Sequence, residues 1–119
     1  MPHIVIEGPV SVEKFYQHFE VISRRQDDTI FKVKDVFINQ EKDRVLLESI
    51  VVEDRILHVF YMVLTQQEME RVTVRLDPLT SPEKTAGVKR LIALIGHKLK
   101  SQHPDCRYSA HNLAGYLLP

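Results

Sequence analysis

Residues 74–84, VRLDPLTSPEK, decide how this chain is read, because residues 4–14, IVIEGPVSVEK, follow the same layout. Each stretch runs from an alternating apolar strand into an acid, a proline, an apolar residue, a serine and then Glu-Lys. Proline and serine ahead of an acidic first turn are helix-entry signals, so each stretch predicts a strand that hands over to a helix. With a further strand after each helix, the chain divides into two β-α-β units, which call for right-handed crossovers and parallel flanking strands. The first unit covers 1–38 and the second 70–112, with an extra hairpin over 45–64 between them.

Working outward, HIVIE (3–7) puts Ile4 and Ile6 on one face, and Ser11 is the natural N-cap of the first helix. Val12, Phe15, Phe19 and Ile22 recur at three- and four-residue spacing, so this helix is expected to run until Gln26-Asp27-Asp28. From Thr29 the period becomes two, with Phe31, Val33 and Phe37 set against Lys32 and Lys34. VLLESIVV (45–52) and ILHVFYMVL (56–64) are two more strands, joined tightly through Glu53-Asp54-Arg55. The second is apolar almost throughout, which predicts cover on both faces. RVTVRLD (71–77) alternates again. The second helix is expected to open on Ser81 as N-cap, with Pro82 in the first helical position and Glu83 in the first turn. Its stripe is Val88, Leu91, Ile92, Ile95 and Leu99, and His103-Pro104 marks its end. CRYSAHNL (106–113) predicts one more strand, and AGYLLP (114–119) is apolar enough to pack on something. The expected fold class is α+β, a mixed sheet with two helices on one face. The other face would then meet partner subunits in a homo-oligomer.

A chain of 119 residues is one domain. Sixteen Lys and Arg balance sixteen Asp and Glu, so no net field draws it to nucleic acid or an anionic membrane. The balance is local, however: after residue 80 the acids are Glu83 and Asp105 alone. Lys84, Lys89, Arg90, Lys98, Lys100 and Arg107 form a basic region there, which reads as the wet side of an amphipathic helix. A single cysteine, Cys106, excludes an internal disulfide framework and suits a reducing compartment. No apolar run approaches about 18 residues, so a cytoplasmic, non-spanning protein is expected. His97, His103, Cys106 and His111 follow no zinc-ligand spacing, and no metal or cofactor is expected.

MPHIVIE (1–7) resembles the opening of tautomerase-superfamily proteins, especially the 5-carboxymethyl-2-hydroxymuconate isomerase group. RVTVRLDPLTSPEKTAGVKRLIALIGHKL (71–99) is similar in layout to their second strand and long second helix. The resemblance implies a trimer of two-unit subunits that isomerises small 2-keto or 2-hydroxydienoate acids with the N-terminal proline as general base. Pro2 would be that base once Met1 is removed, since a free α-amine titrates close enough to neutrality to serve. Lys32 and Lys34 are the first candidates for holding the substrate carboxylate, and Arg71 and Arg75 the second. The alternative function is a non-catalytic oligomeric binding or interaction domain with the same fold.

Overall fold

A computed structural model describes residues 1–80 and 82–119. The elements are β1 (His3–Glu7), α1 (Val12–Gln17), β2 (Ile22–Gln26), β3 (Thr29–Ile38), β4 (Arg44–Glu53), β5 (Ile56–Gln67), β6 (Arg71–Leu76), α2 (Ala86–Lys100) and β7 (Arg107–His111). All seven strands join one curled half-barrel sheet in the order β2-β3-β4-β5-β6-β1-β7. Every neighbouring pair is antiparallel.

This corrects the α+β, tautomerase-like fold with a mixed sheet and two β-α-β units. The first unit fails at α1, which has six residues. Ile22, expected on its stripe, instead opens β2, and β2 lies at the far edge of the sheet with four strands between it and β1. The reason lies in the Gln26-to-Thr29 turn: Asp27 takes φ 54°, a left-handed conformation that Asp tolerates, and two loop residues close a hairpin there. Once 22–26 pairs with 29–33, it is no longer free to be helix. In the second unit, β6 and β7 do run in the same direction, both antiparallel to β1, but β1 is wedged between them. The two strands with matching sequences, β1 and β6, are thus direct antiparallel partners, with Ile4 opposite Val74 and His3 opposite Arg75.

The rest of the sheet is a meander held by tight turns. Asp54 and Arg55 both adopt positive φ, 51° and 64°, the geometry that matches a two-residue hairpin to strand twist. Asn39 secures the β3–β4 turn, its Oδ1 accepting from the backbone N–H of Asp43 and Arg44 at 3.0 and 2.9 Å. A bulge between Val33 and Asp35 places Lys34 and Asp35 on one face, and a second lies between Val5 and Ile6. Bulges sharpen the right-handed twist, which helps a sheet of this width curl.

Both helices pack on the concave face. Ile4, Ile6, Leu47, Val51, Phe60, Met62, Leu64, Val72, Val74 and Leu76 point inward to meet Val12 and Phe15 of α1 and Val88, Leu91, Ile92, Ile95 and Leu99 of α2. α2 begins later than the sequence suggests. Thr85 is its N-cap, its Oγ1 accepting from Val88 N–H at 3.2 Å, and Glu53 Oε2 accepts from Gly87 N–H at 2.9 Å. Pro82 and Glu83 therefore precede the helix, and the expected cap Ser81 lies outside the described residues. The helix sits close to the sheet because it carries glycine there. A Cβ at Gly96 would lie 2.6 Å from Ile4 Cδ1, and one at Gly87 2.8 Å from Val51 Cγ1.

Candidate functional site

The concave face is not closed everywhere. Residues of β2 alternate, and the pairs Ile22–Val33, Arg24–Phe31 and Gln26–Thr29 aim Ile22, Arg24 and Gln26 inward. Ile22 is buried, but Arg24 and Gln26 are exposed, so two of the three inward positions on this edge strand offer no apolar surface for a helix to cover. A groove remains between β2 and α2.

Arg90, Leu94, His97 and Lys98 of α2, with its C-cap Ser101, line the groove. Their spacing keeps them on one side of the helix over about 16 Å of its axis. Two cavities lie along the groove, and Arg24 borders both. The first, about 480 Å³, has apolar walls from Phe15, Phe19 and Ile22 and is ringed by Lys14, His18, His97 and Lys98. The Phe15 and Phe19 rings lean together with centroids 6.3 Å apart. Gln102 braces its floor, accepting from Ser11 N–H and donating to Ser11 C=O, each at 3.3 Å. The second cavity, about 490 Å³, brings together Arg24, Arg25, Gln26, Phe31, Arg90 and Leu94 under Gly115, Tyr116 and Leu118 of the C-terminal tail. Volumes of this size suit small organic ligands.

The groove is strongly cationic. Lys14, Arg24, Arg25, Arg90 and Lys98 line it, and Glu20 is the one acid among its lining residues. None of these five cations has a carboxylate within 4.0 Å among the described residues; the ion pairs formed, Lys34–Glu48, Lys42–Glu13, Arg71–Glu68, His103–Asp105 and Arg107–Glu7, lie elsewhere. Three guanidinium groups around one cavity suit planar oxyanions, which arginine grips through paired N–H donors. The first cavity lies at the C-terminal end of α2, where the helix dipole already attracts Lys98, so the arginine cavity is the stronger anion subsite. His97 Nδ1 is buried without a hydrogen-bond partner among the described residues.

A third cavity, about 540 Å³, lies on the convex face between Phe37, Leu46, Val63, Arg75 and Leu79. No family model matches this chain. Comparisons with curated proteins and with solved structures return no match either.

The residues singled out from the sequence are not brought together. Pro2 is buried at the entry to β1, and the Met1 carbonyl before it accepts from Asn112 Nδ2 at 2.8 Å and pairs with His3 Nδ1 at 3.2 Å. Lys32 and Lys34 are on β3, with β4, β5 and β6 between them and β1. That separation is about 19 Å at ordinary strand spacing. Both lysines project from the convex face, and Lys34 Nζ is 3.8 Å from Glu48. Arg75 stands opposite His3, but its side chain borders the convex cavity rather than the core side where Pro2 is buried. Arg71 pairs with Glu68 at 3.6 Å.

His97, His103, Cys106 and His111 do not converge either, and no group of three or more potential metal ligands occurs among the described residues. Burial pushes the Cys106 thiol above its ordinary pKa, which keeps it protonated and poorly nucleophilic. No helix is long and apolar enough to cross a membrane among the described residues.

The groove residues escaped sequence reading for two reasons. Arg24 and Arg25 fall at the end of the helix that the spacing predicts, where arginine carries no meaning, and Arg90 and Lys98 look like an ordinary wet face. A usable signal existed: ISRRQ and TIFKV flank Asp27-Asp28 as two strands flank a two-residue turn.

Proposed function

We propose that this protein is a binding domain that holds an elongated anionic ligand with an apolar body in the groove between β2 and α2. The observation that carries this reading is the placement of Arg24 on the inward side of β2. It borders both cavities and faces Arg90 and Lys98 with no carboxylate partner. Phe15, Phe19, Ile22, Phe31 and Leu94 supply apolar wall on either side of it. This develops the non-catalytic binding alternative.

Pro2-dependent isomerisation would need an accessible amine with a cation beside it. Burial of Pro2 and the convex-face placement of Lys32 and Lys34 lend that reading no support. Self-association has an observation of its own. Leu57 and Val59 are exposed at 59% and 57% on the convex face, and sedimentation velocity measures whether a second copy covers them.

The test of the groove is fluorescence titration with anilinonaphthalene sulfonate, an apolar body carrying one anionic group. Wild type is expected to bind it, and Arg24→Ala to weaken binding at least about tenfold, because a charge-assisted hydrogen bond contributes about 1.5–3 kcal/mol. Equal affinity for both proteins, or equal affinity of wild type for uncharged phenylnaphthylamine, overturns the reading.

A further inference from the structure

The same groove has a wall whose hydrogen-bonding capacity is unused. β2 is an edge strand, and beyond it the sheet simply stops. Its turn leaves two loop residues between Gln26 and Thr29, so those two residues must exchange ladder hydrogen bonds directly. Counting back along an antiparallel ladder, Arg24 and Ile22 also bond toward β3, while the N–H and C=O of Ser23 and Arg25 face the open edge. No other backbone or side chain among the described residues bonds to those four groups. Residues 23–26 are all exposed.

We infer that the groove's ligand is an extended acidic peptide segment that adds to β2 as an eighth strand. This rests on the binding reading above and goes beyond it by naming the partner's chemistry. Three observations converge on it. The free edge offers backbone pairing at Ser23 and Arg25, the means by which an added strand gains affinity. The cations lining the groove, Arg24 and Arg25 on that edge and Arg90 and Lys98 on α2, select carboxylates. The apolar patches at Phe15–Phe19–Ile22 and at Phe31–Leu94 sit on either side of Arg24, matching a strand whose inward side chains alternate between acidic and apolar. The groove's length along α2, about 16 Å, accommodates about five extended residues.

The charges also disfavour pairing of this edge with a second copy of itself. Edge strands are commonly protected by charge, and two copies of Ser23-Arg24-Arg25 laid side by side would bring like charges together. The same arginines that repel a second β2 attract an acidic strand. A basic edge disfavours self-association and favours one class of partner.

The experiment uses a capped, fluorescein-labelled seven-residue peptide whose odd positions alternate leucine and glutamate, with threonine at the even ones, so that one face carries both kinds of side chain, read by anisotropy at low salt. Three control peptides accompany it: two with alternate backbone nitrogens methylated, one for each pairing register, and one with lysine in place of glutamate. The inference expects wild type to bind the acidic peptide and Arg24→Glu to weaken it at least tenfold. One methylated version is expected to lose at least tenfold, and the lysine peptide not to bind. Amide exchange adds a structural readout, since the Ser23 and Arg25 amides should become protected on binding.

If both methylated versions bind as well as the parent, or those amides stay unprotected, strand addition is overturned while charge recognition stands. If the acidic peptide fails to bind and anilinonaphthalene sulfonate still binds in an Arg24-dependent way, the peptide inference falls and the groove reading survives. If neither probe binds, both fall. Arg24 is exposed, so its substitution leaves the fold intact and a loss of binding is interpretable.

Discussion

One helix meets the same sheet in two different ways. Against β1, α2 presses so close that Gly96 is the residue facing Ile4. On the flank facing β2, the helix stands away behind Arg90, Leu94, His97 and Lys98, and the groove opens. The difference comes from what each strand aims inward. β1 offers Ile4 and Ile6, both fully buried, whereas β2 offers Arg24 and Gln26 beyond Ile22. Apolar surface draws a helix down because burying it is worth about 25 cal/mol per Å², and charged side chains supply no such attraction. The fold is held on one flank and left available on the other.

That contrast can be broken most severely on the packed side. Phe60 is fully buried between sheet and helices, so Phe60→Ala is expected to cost about 3–5 kcal/mol, a large share of a small domain's stability. Urea denaturation checks this, and a loss under about 1 kcal/mol would mean the core is looser than described. Gly96→Ala sharpens the close approach. Overpacking against Ile4 costs about 1–3 kcal/mol and the helix gains about 1, leaving a net loss of about 1 kcal/mol in the same experiment. A net gain would show that the helix is free to shift.

Smaller still is the effect of alkaline pH on the tail that roofs the groove. Burial raises the Tyr108 pKa, and its hydroxyl donates to the Leu118 carbonyl at 2.7 Å. The folded state therefore holds this proton more tightly than the unfolded chain, so the contribution is fully present below the unfolded value of about 10 and is lost as pH rises through the folded value. Cys106, also raised by burial, adds a loss of the same sign beginning near its ordinary 9.0. Tyr108→Phe should flatten the upper part of the urea midpoint against pH, and an unchanged slope would contradict the tail's role. Smallest of all is Arg24→Ala, expected to move stability by less than about 0.5 kcal/mol because the side chain is exposed and unpaired. A large loss there would make Arg24 a structural residue and dissolve the contrast.

Local structure was far more legible in the sequence than topology. The alternation of HIVIE and RVTVRL marks β1 and β6, and Ser11 caps α1 as its position suggests, its Oγ accepting from Lys14 N–H at 3.2 Å. Which strand pairs with which was not legible, because two similar strand-to-helix entrances suit parallel crossovers as well as the observed antiparallel pairing of β1 with β6. Residues 22–26 show the limit most clearly. Ile22 continues the helical spacing of Phe15 and Phe19, and it also opens a strand, so one apolar residue satisfied both periods and the turn at Asp27-Asp28 decided between them. The groove followed from that decision, since Arg24 faces α2 once 22–26 is a strand. The grouping of Pro2 with Lys32 and Lys34 rested on a parallel pairing of β1 with β3, and the observed strand order sets β4, β5 and β6 between them.

The most direct test is to map backbone amide shifts while titrating anilinonaphthalene sulfonate into isotope-labelled protein. The account predicts that perturbations gather on residues 22–26, 90–101 and 115–118, with Arg24 and Arg25 among the largest. Perturbations gathered instead around Phe37, Val63, Arg75 and Leu79 on the convex face would contradict it.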